Sequence, residues 1–285
     1  MFRRSCGNSV AALEILRCPQ STGWTSQQAF GLASSNEEEA TMCGRYTLKT
    51  PADVLMQMFH TAWPGEASAR YNIAPTQQVP VVRGNRHNPR VREAVMMRWG
   101  LVPSWADDLS IGSRMINARS ETAASKPSFR SAFRKHRCLV PLDGFYEWQK
   151  LSDGTKQPWW MHFEDEQPFA AAGLWETWAP PEEQRKPGAG RSDLVSTFTI
   201  LTTEANSQMS RLHDRMPVIL SPEHWDLWLG DQSSVGQLQE ILQPWEGESL
   251  CFRCVGKAMN RPAHERPDCL TEIPISEPLP GGNIA

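Results

Sequence analysis

Between residues 79 and 220 the apolar residues come in short bursts, several alternating with polar ones, and each burst is closed by Gly, Pro, Asp, Ser or a charge. The runs are VPVVR (79–83), AVMMRWGLVP (94–103), CLVPL (138–142), GFYEW (144–148), PWWMHF (158–163), FAAAGLWETW (169–178), STFTILTT (196–203) and MPVIL (216–220). Period-two alternation over such lengths puts one face of each run inward and the other outward. Eight runs punctuated by turns predict a mostly antiparallel, barrel-like β core. A helical period replaces the alternation in a few places. TPADVLMQMF has Thr50 as N-cap, Pro51 at the first helical position, and Val54, Leu55, Met58 and Phe59 on one face. SFRSAFRKH (128–136), SPEHWDLWL with Ser221 as N-cap, and SVGQLQEILQ (234–243) predict further short flanking helices. The fold class expected is α+β. APPEEQRKPGAGRSD (179–193) lies between two strand candidates and reads as an exposed hairpin loop. No internal repeat is present. One domain over 42–275, preceded by a disordered extension or a mis-assigned start (1–41) and followed by a flexible tail (276–285), accounts for the pattern.

Composition narrows the class of function. The 285 residues are 40% hydrophobic and 21% charged with a net charge of −3, so a nucleic-acid site has to be a local basic patch. No apolar run approaches the roughly 20 residues that cross a bilayer, and a membrane partner is not expected. Seven cysteines without framework spacing suit a reducing compartment, so the expected location is cytoplasmic. Twelve tryptophans against three tyrosines supply core volume and flat faces on which bases stack. The first 41 residues lack a long apolar stretch with a cleavage context and end in an acidic cluster, which makes a poor secretory signal.

Four strings gather reactive side chains beside apolar runs: MCGR (42–45), NARSE (117–121), GFYEW (144–148) and LHDRMP (212–217). Glu147 alternates onto the face opposite Tyr146 and Trp148; it is either a solvent-facing strand residue or, if that face lines a cleft, an acid with a raised pKa. His213 is either a structural hydrogen-bonding residue or a general base, and Asn117 either a turn residue or a positioning amide. Cys251, Cys254, His264 and Cys269 are spaced C-x2-C-x9-H-x4-C and have the ligand types for zinc. Cys43 follows a second methionine, so a chain started at Met42 and trimmed carries an amine beside a thiol.

Together with WGLVPSW (99–105) and YNIAPT (71–76), these strings resemble the SRAP family (SOS response-associated peptidase) in order and over about 230 residues. That resemblance implies a sensor of abasic sites in single-stranded DNA, attached covalently to the lesion through an N-terminal cysteine that falls on Cys43. It places the catalytic asparagine, glutamate and histidine on Asn117, Glu147 and His213, sets Arg45 and Arg119 against DNA phosphates, and implies no metal and no cofactor. Trp105, Pro75 and Met115 are then expected to fill the space of the missing base or stack on its neighbours. The protein is expected to act as a monomer.

The chemistry requires a free amine. An amine condenses with the aldehyde of a ring-opened sugar to an imine, and the neighbouring thiol closes a five-membered thiazolidine on it. With residues 1–41 attached, the Cys43 nitrogen is an amide. Translation from Met42 or cleavage before Cys43 is therefore expected. The alternatives are a thiol peptidase, with Cys43 as nucleophile and His213 as base, and a reader that binds damaged or modified DNA without forming a bond.

Overall fold

A computed structural model describes residues 43–65, 68–88, 91–184, 193–247 and 250–281. The expected extension over 1–41 and Met42 lie outside the described residues, as do 185–192 of the expected hairpin loop. The described residues fall within one compact unit, Glu39–Ala285.

In chain order the elements are β1 (Arg45–Leu48), α1 (Ala52–Phe59), β2 (Arg70–Ile73), β3 (Gln78–Gly84), β4 (Arg92–Trp99), β5 (Asn117–Arg119), α2 (Ser120–Ala123) and α3 (Arg130–Lys135). They continue as β6 (Arg137–Leu142), β7 (Gly144–Lys150), β8 (Lys156–Phe163), β9 (Phe169–Trp178), β10 (Val195–Glu204), β11 (Arg215–Pro217) and β12 (Ile219–Leu220), then α4 (Trp225–Leu229), α5 (Val235–Glu240) and β13 (Leu250–Cys254). The α+β class holds. β10, β4, β3, β6 and β9 pair in that order, and β9 returns to β10 to close a five-stranded barrel, with β10 and β4 parallel and the other pairs antiparallel. A second sheet, in the order β13-β8-β7-β1-β2, is antiparallel throughout. Its inward side chains, among them Tyr46, Phe145, Trp159 and Met161, join Val81, Trp99, Leu139 and Phe198 of the barrel in one core. Among the described residues no helix is long and apolar enough to cross a membrane.

Several boundaries move for local reasons. The expected α1 cap fails because the Thr50 hydroxyl donates to Asp143, whose carboxylate also takes the Lys49 N–H, and Pro51 becomes the cap residue. Ser221 contacts His224 Nδ1 at 3.1 Å and opens a 3-10 turn (Pro222–His224) before α4. Ser234 and Gln237 form a reciprocal capping box at the start of α5. β9 and β10 pair directly from Trp178 and Val195, as a hairpin requires. Past residue 275 the chain stays in contact: Leu279 is buried, Gln149 Nε2 donates to Glu277 and Pro278 oxygens, and Arg211 Nε donates to Pro280 O.

The expected strand 94–103 stops at Trp99 because the chain turns at Gly100, where φ is +116°. There the backbone crosses Gly112 so closely that a Cβ on Gly100 would lie 2.4 Å from the Gly112 oxygen. This crossing delivers residues 115–119 to β10: Leu101 N–H donates to Met115 O (3.1 Å), while Trp99 Nε1 and Ile200 N–H both donate to Ile116 O (2.9 and 3.0 Å). Gly100→Ala combines backbone strain with overpacking and is expected to cost about 2–4 kcal/mol. Urea unfolding should report it as a lower midpoint with an unchanged m-value.

Candidate active site

Cys43 stands just before β1, which pairs with β7 through Arg45–Tyr146 and Tyr46–Phe145. That antiparallel register carries the start of β1 to Glu147. The Cys43 N–H donates to Glu147 Oε1 at 2.5 Å, across 104 positions of sequence. Tyr146 and Trp148 pack outward in a small cluster with Val255, Met259 and Cys269, so Glu147 does face the other way. That face is interior. Glu147 is 3% exposed and Cys43 is fully buried.

Burial sets the electrostatics of the pair. It pushes the Glu147 carboxyl up to about 8; the N–H groups of Cys43 and Trp148 oppose the shift and the charge of Asp214 adds to it. Burial, reinforced by Glu147, raises the Cys43 thiol well above its ordinary range, so the sulfur is held as S–H. Cys43 also has φ +45°, a left-handed conformation that costs a side-chain-bearing residue of order 1–3 kcal/mol.

The remaining candidates gather at the far half of β10. One edge of that strand passes from β4 to β5, which it pairs in parallel (Ile200–Asn117, Thr202–Arg119); the other passes from β9 to β11 (Thr202–Pro217, Glu204–Arg215). Asn117 is half-buried and Arg119 exposed. Across β10, Arg215 grips both Glu121 oxygens (2.7 and 2.8 Å) and the Thr202 carbonyl (2.7 Å), tying the NARSE segment to the HDRMP turn. His213 Nδ1 lies 2.7 Å from Asp214 Oδ1. Burial lowers the His213 pKa against the opposing pull of Asp214, which favours a neutral imidazole. The effect of Asp214 on Glu147 puts this turn within electrostatic reach of the Cys43–Glu147 pair.

The expected DNA-facing residues divide. Trp105 is 61% exposed. Pro75 is half-buried, and Met115 is half-buried against the core. Arg45 gives Nη1 to Asn72 Oδ1 and Met259 O (both 2.9 Å) and Nη2 to Asn260 O (3.4 Å), so two of these three hydrogen bonds hold the 259–260 turn. Sequence reasoning missed Glu121, Thr202, Asp214 and Arg215 as a unit. Three of them sit inside the quoted strings, but nothing local signals a pairing across 94 positions.

The spaced cysteines do not assemble as a zinc set. β13 pairs Cys251 with His162 and Cys254 with Trp159. Among the described residues the potential ligands that do converge are His264, Asp268 and Cys269. They are already bonded to one another: His264 Nε2 is 2.8 Å from Asp268, and Cys269 Sγ donates to the His264 carbonyl.

The family model described as SOS response associated peptidase (SRAP) matches residues 42–262. The abasic site processing protein YoqW of Bacillus subtilis is 37% identical over 233 residues, covering 80% of this chain and 99% of its own. The abasic site processing protein HMCES of Gallus gallus is 30% identical over 243 residues, covering 75% of this chain and 69% of its own. A crystal structure of a protein from Bacteroides thetaiotaomicron superposes with a TM-score of 0.70 at 23% identity, over 81% of this chain and all of that one, a likeness of fold.

Proposed function

Because the chain belongs to the SOS response associated peptidase family, we propose that it processes abasic sites in single-stranded DNA, and that it does so by trapping the lesion on Cys43. Relatives that align over nearly their whole length are named abasic site processing proteins. The observation that carries the chemical reading is the hydrogen bond from the Cys43 nitrogen to a buried carboxyl whose pKa is raised to about 8. A group that exchanges a proton near neutrality touches the atom that has to become a nucleophile.

In the proposed reaction the Cys43 amine adds to the C1′ aldehyde of the ring-opened deoxyribose to give a carbinolamine. Glu147 in its acid form protonates the departing hydroxyl, water leaves, and the nitrogen returns a proton to the Glu147 carboxylate as the imine forms. The thiol then adds to the imine carbon as its proton passes to nitrogen, closing the thiazolidine. One water is lost overall. The thiol does not need to be a thiolate, in keeping with its raised pKa. A thiol peptidase needs the opposite, a thiolate stabilised by a cation, so the neutral sulfur beside a carboxyl speaks against that alternative. His213, beside Asp214, is placed in this reading to assist proton transfer or reversal, with Asn117 as a positioning amide and Arg119 as a phosphate contact. The family match beginning at Met42 supports a mature chain that starts at Cys43.

Intact mass spectrometry of protein made from its native gene, before and after incubation with an abasic single-stranded oligonucleotide, tests both parts. The expected result is a chain starting at Cys43 that gains one oligonucleotide less one water and keeps it through denaturation. Binding that disappears on denaturation would favour a non-covalent reader.

A further inference from the structure

A poorly answered cation stands on the outer barrel surface between two of the segments expected to face DNA. Arg98 lies in β4 between Met97 and Trp99, both fully buried, so its side chain leaves the opposite face, where Met96 is 45% exposed. Several partly or fully buried arginines elsewhere have acids: Arg70 pairs with Glu265, Arg83 with Glu93, Arg92 with Asp226, Arg215 with Glu121 and Arg253 with Glu166; Arg45 has Asn72 and two carbonyls, and Arg211 the Pro280 carbonyl. Arg137 instead has carbonyls of Phe133, Arg134, Trp228 and Gly230. Among the described residues Arg98 has one acceptor, the Thr76 carbonyl, 2.6 Å from Nη1, and its Nε is buried without a partner. Leaving a partly desolvated guanidinium without an anion is unfavourable, and burial accordingly lowers its pKa.

The neighbours of Arg98 define the location. Thr76, in the left-handed region at φ +72°, directly follows Pro75 in the turn between β2 and β3. On the other side, Arg98 is the register partner of Thr197. Val102 N–H donates to Thr197 Oγ1 (2.9 Å) and Trp178 Nε1 donates to the Ala106 carbonyl (2.7 Å), so the 101–106 segment, with Trp105 in it, lies along the same outer flank. Arg98 therefore sits between the Pro75 turn and the Trp105 loop.

We propose that Arg98 binds a backbone phosphate of the single strand as it passes between Pro75 and Trp105, supplying through Nη2 the anion contact that the protein itself leaves unmade. The inference rests on the proposed DNA function, deepens it by adding a contact, and is tested apart from the chemistry. Processed wild-type protein and its Arg98→Gln variant are titrated against a single-stranded oligonucleotide carrying tetrahydrofuran, an abasic analogue without an aldehyde, by fluorescence anisotropy at several salt concentrations. One lost phosphate contact should weaken binding about three- to tenfold at low salt and flatten the log–log salt dependence by about 0.7. Arg98→Lys, which keeps the charge, should recover most of that slope, a readout that a purely structural role for the Thr76 hydrogen bond would not move. Equal affinities and slopes for wild type and Arg98→Gln, with wild type still crosslinking an authentic abasic strand, would overturn this contact alone. A wild type that neither binds nor crosslinks would remove the functional reading and this inference together.

Discussion

Glu147→Gln is expected to slow crosslinking by about 10²–10³-fold, within the range for loss of a positioned general acid, while making the unprocessed chain more stable at neutral pH. Both effects come from one buried group. The amide can still accept the Cys43 N–H through its oxygen, so the local geometry survives, but it has no proton to give. The stability effect follows from the difference between the ordinary glutamate value of 4.5 and about 8 in the fold. Below pH 4.5 folded and unfolded chains both hold the proton and Glu147 imposes no penalty. Between 4.5 and about 8 the unfolded chain releases it while the fold retains it, so the folded state binds more protons and stability falls as pH rises. At about 1.4 kcal/mol per pH unit, the loss reaches about 3 kcal/mol by pH 7. Glutamine carries no such dependence. Urea midpoints of wild type and variant should therefore nearly coincide at pH 4 and separate in favour of the variant by pH 7. Parallel pH dependences would mean that Glu147 is ionised in the fold and cannot be the acid.

The same residue marks how far the sequence could be read. Alternation in GFYEW put Glu147 on the face opposite Tyr146 and Trp148, and that holds; whether the face was wet or dry depended on packing against strands distant in the sequence. Strands with several alternating residues were visible. β5 was not, because three residues carry no period, and it forms only because the Gly100–Gly112 crossing lays it against β10. The eight runs forecast a barrel-like core but not its parallel β10–β4 pair, since a register between distant strands leaves no local trace. For the site, the motif strings supplied residue identities and the family resemblance supplied roles. The Cys43–Glu147 hydrogen bond and the Arg215 clamp across β10 are products of tertiary pairing. The spaced cysteines show the converse: a spacing that has the ligand types for zinc in a compact loop is pulled apart when its first half becomes a strand paired to β8.

The largest effect is expected at the Cys43 nitrogen itself. A chain in which that nitrogen is an amide, because Met42 and the preceding residues are retained or because the terminus is acetylated, should yield no adduct that survives denaturation. Delocalisation removes the lone pair that attacks the aldehyde, and a thiol alone gives a hemithioacetal that reverts. Cys43→Ser in the processed chain separates the two steps of the proposed chemistry. Its amine remains and has an unperturbed pKa near 8, so an imine should still form. The hydroxyl traps that imine far less well than a thiol, so the adduct should appear only when borohydride reduces it in place. Wild type should crosslink without reductant, the serine variant only with it, and the extended chain in neither condition. A reducible adduct from the extended chain would point to a Schiff base on a lysine or on that chain's own terminal amine. A stable adduct from that chain without reductant would remove Cys43 from the reaction, and with it the reason for Glu147 to be buried against its nitrogen.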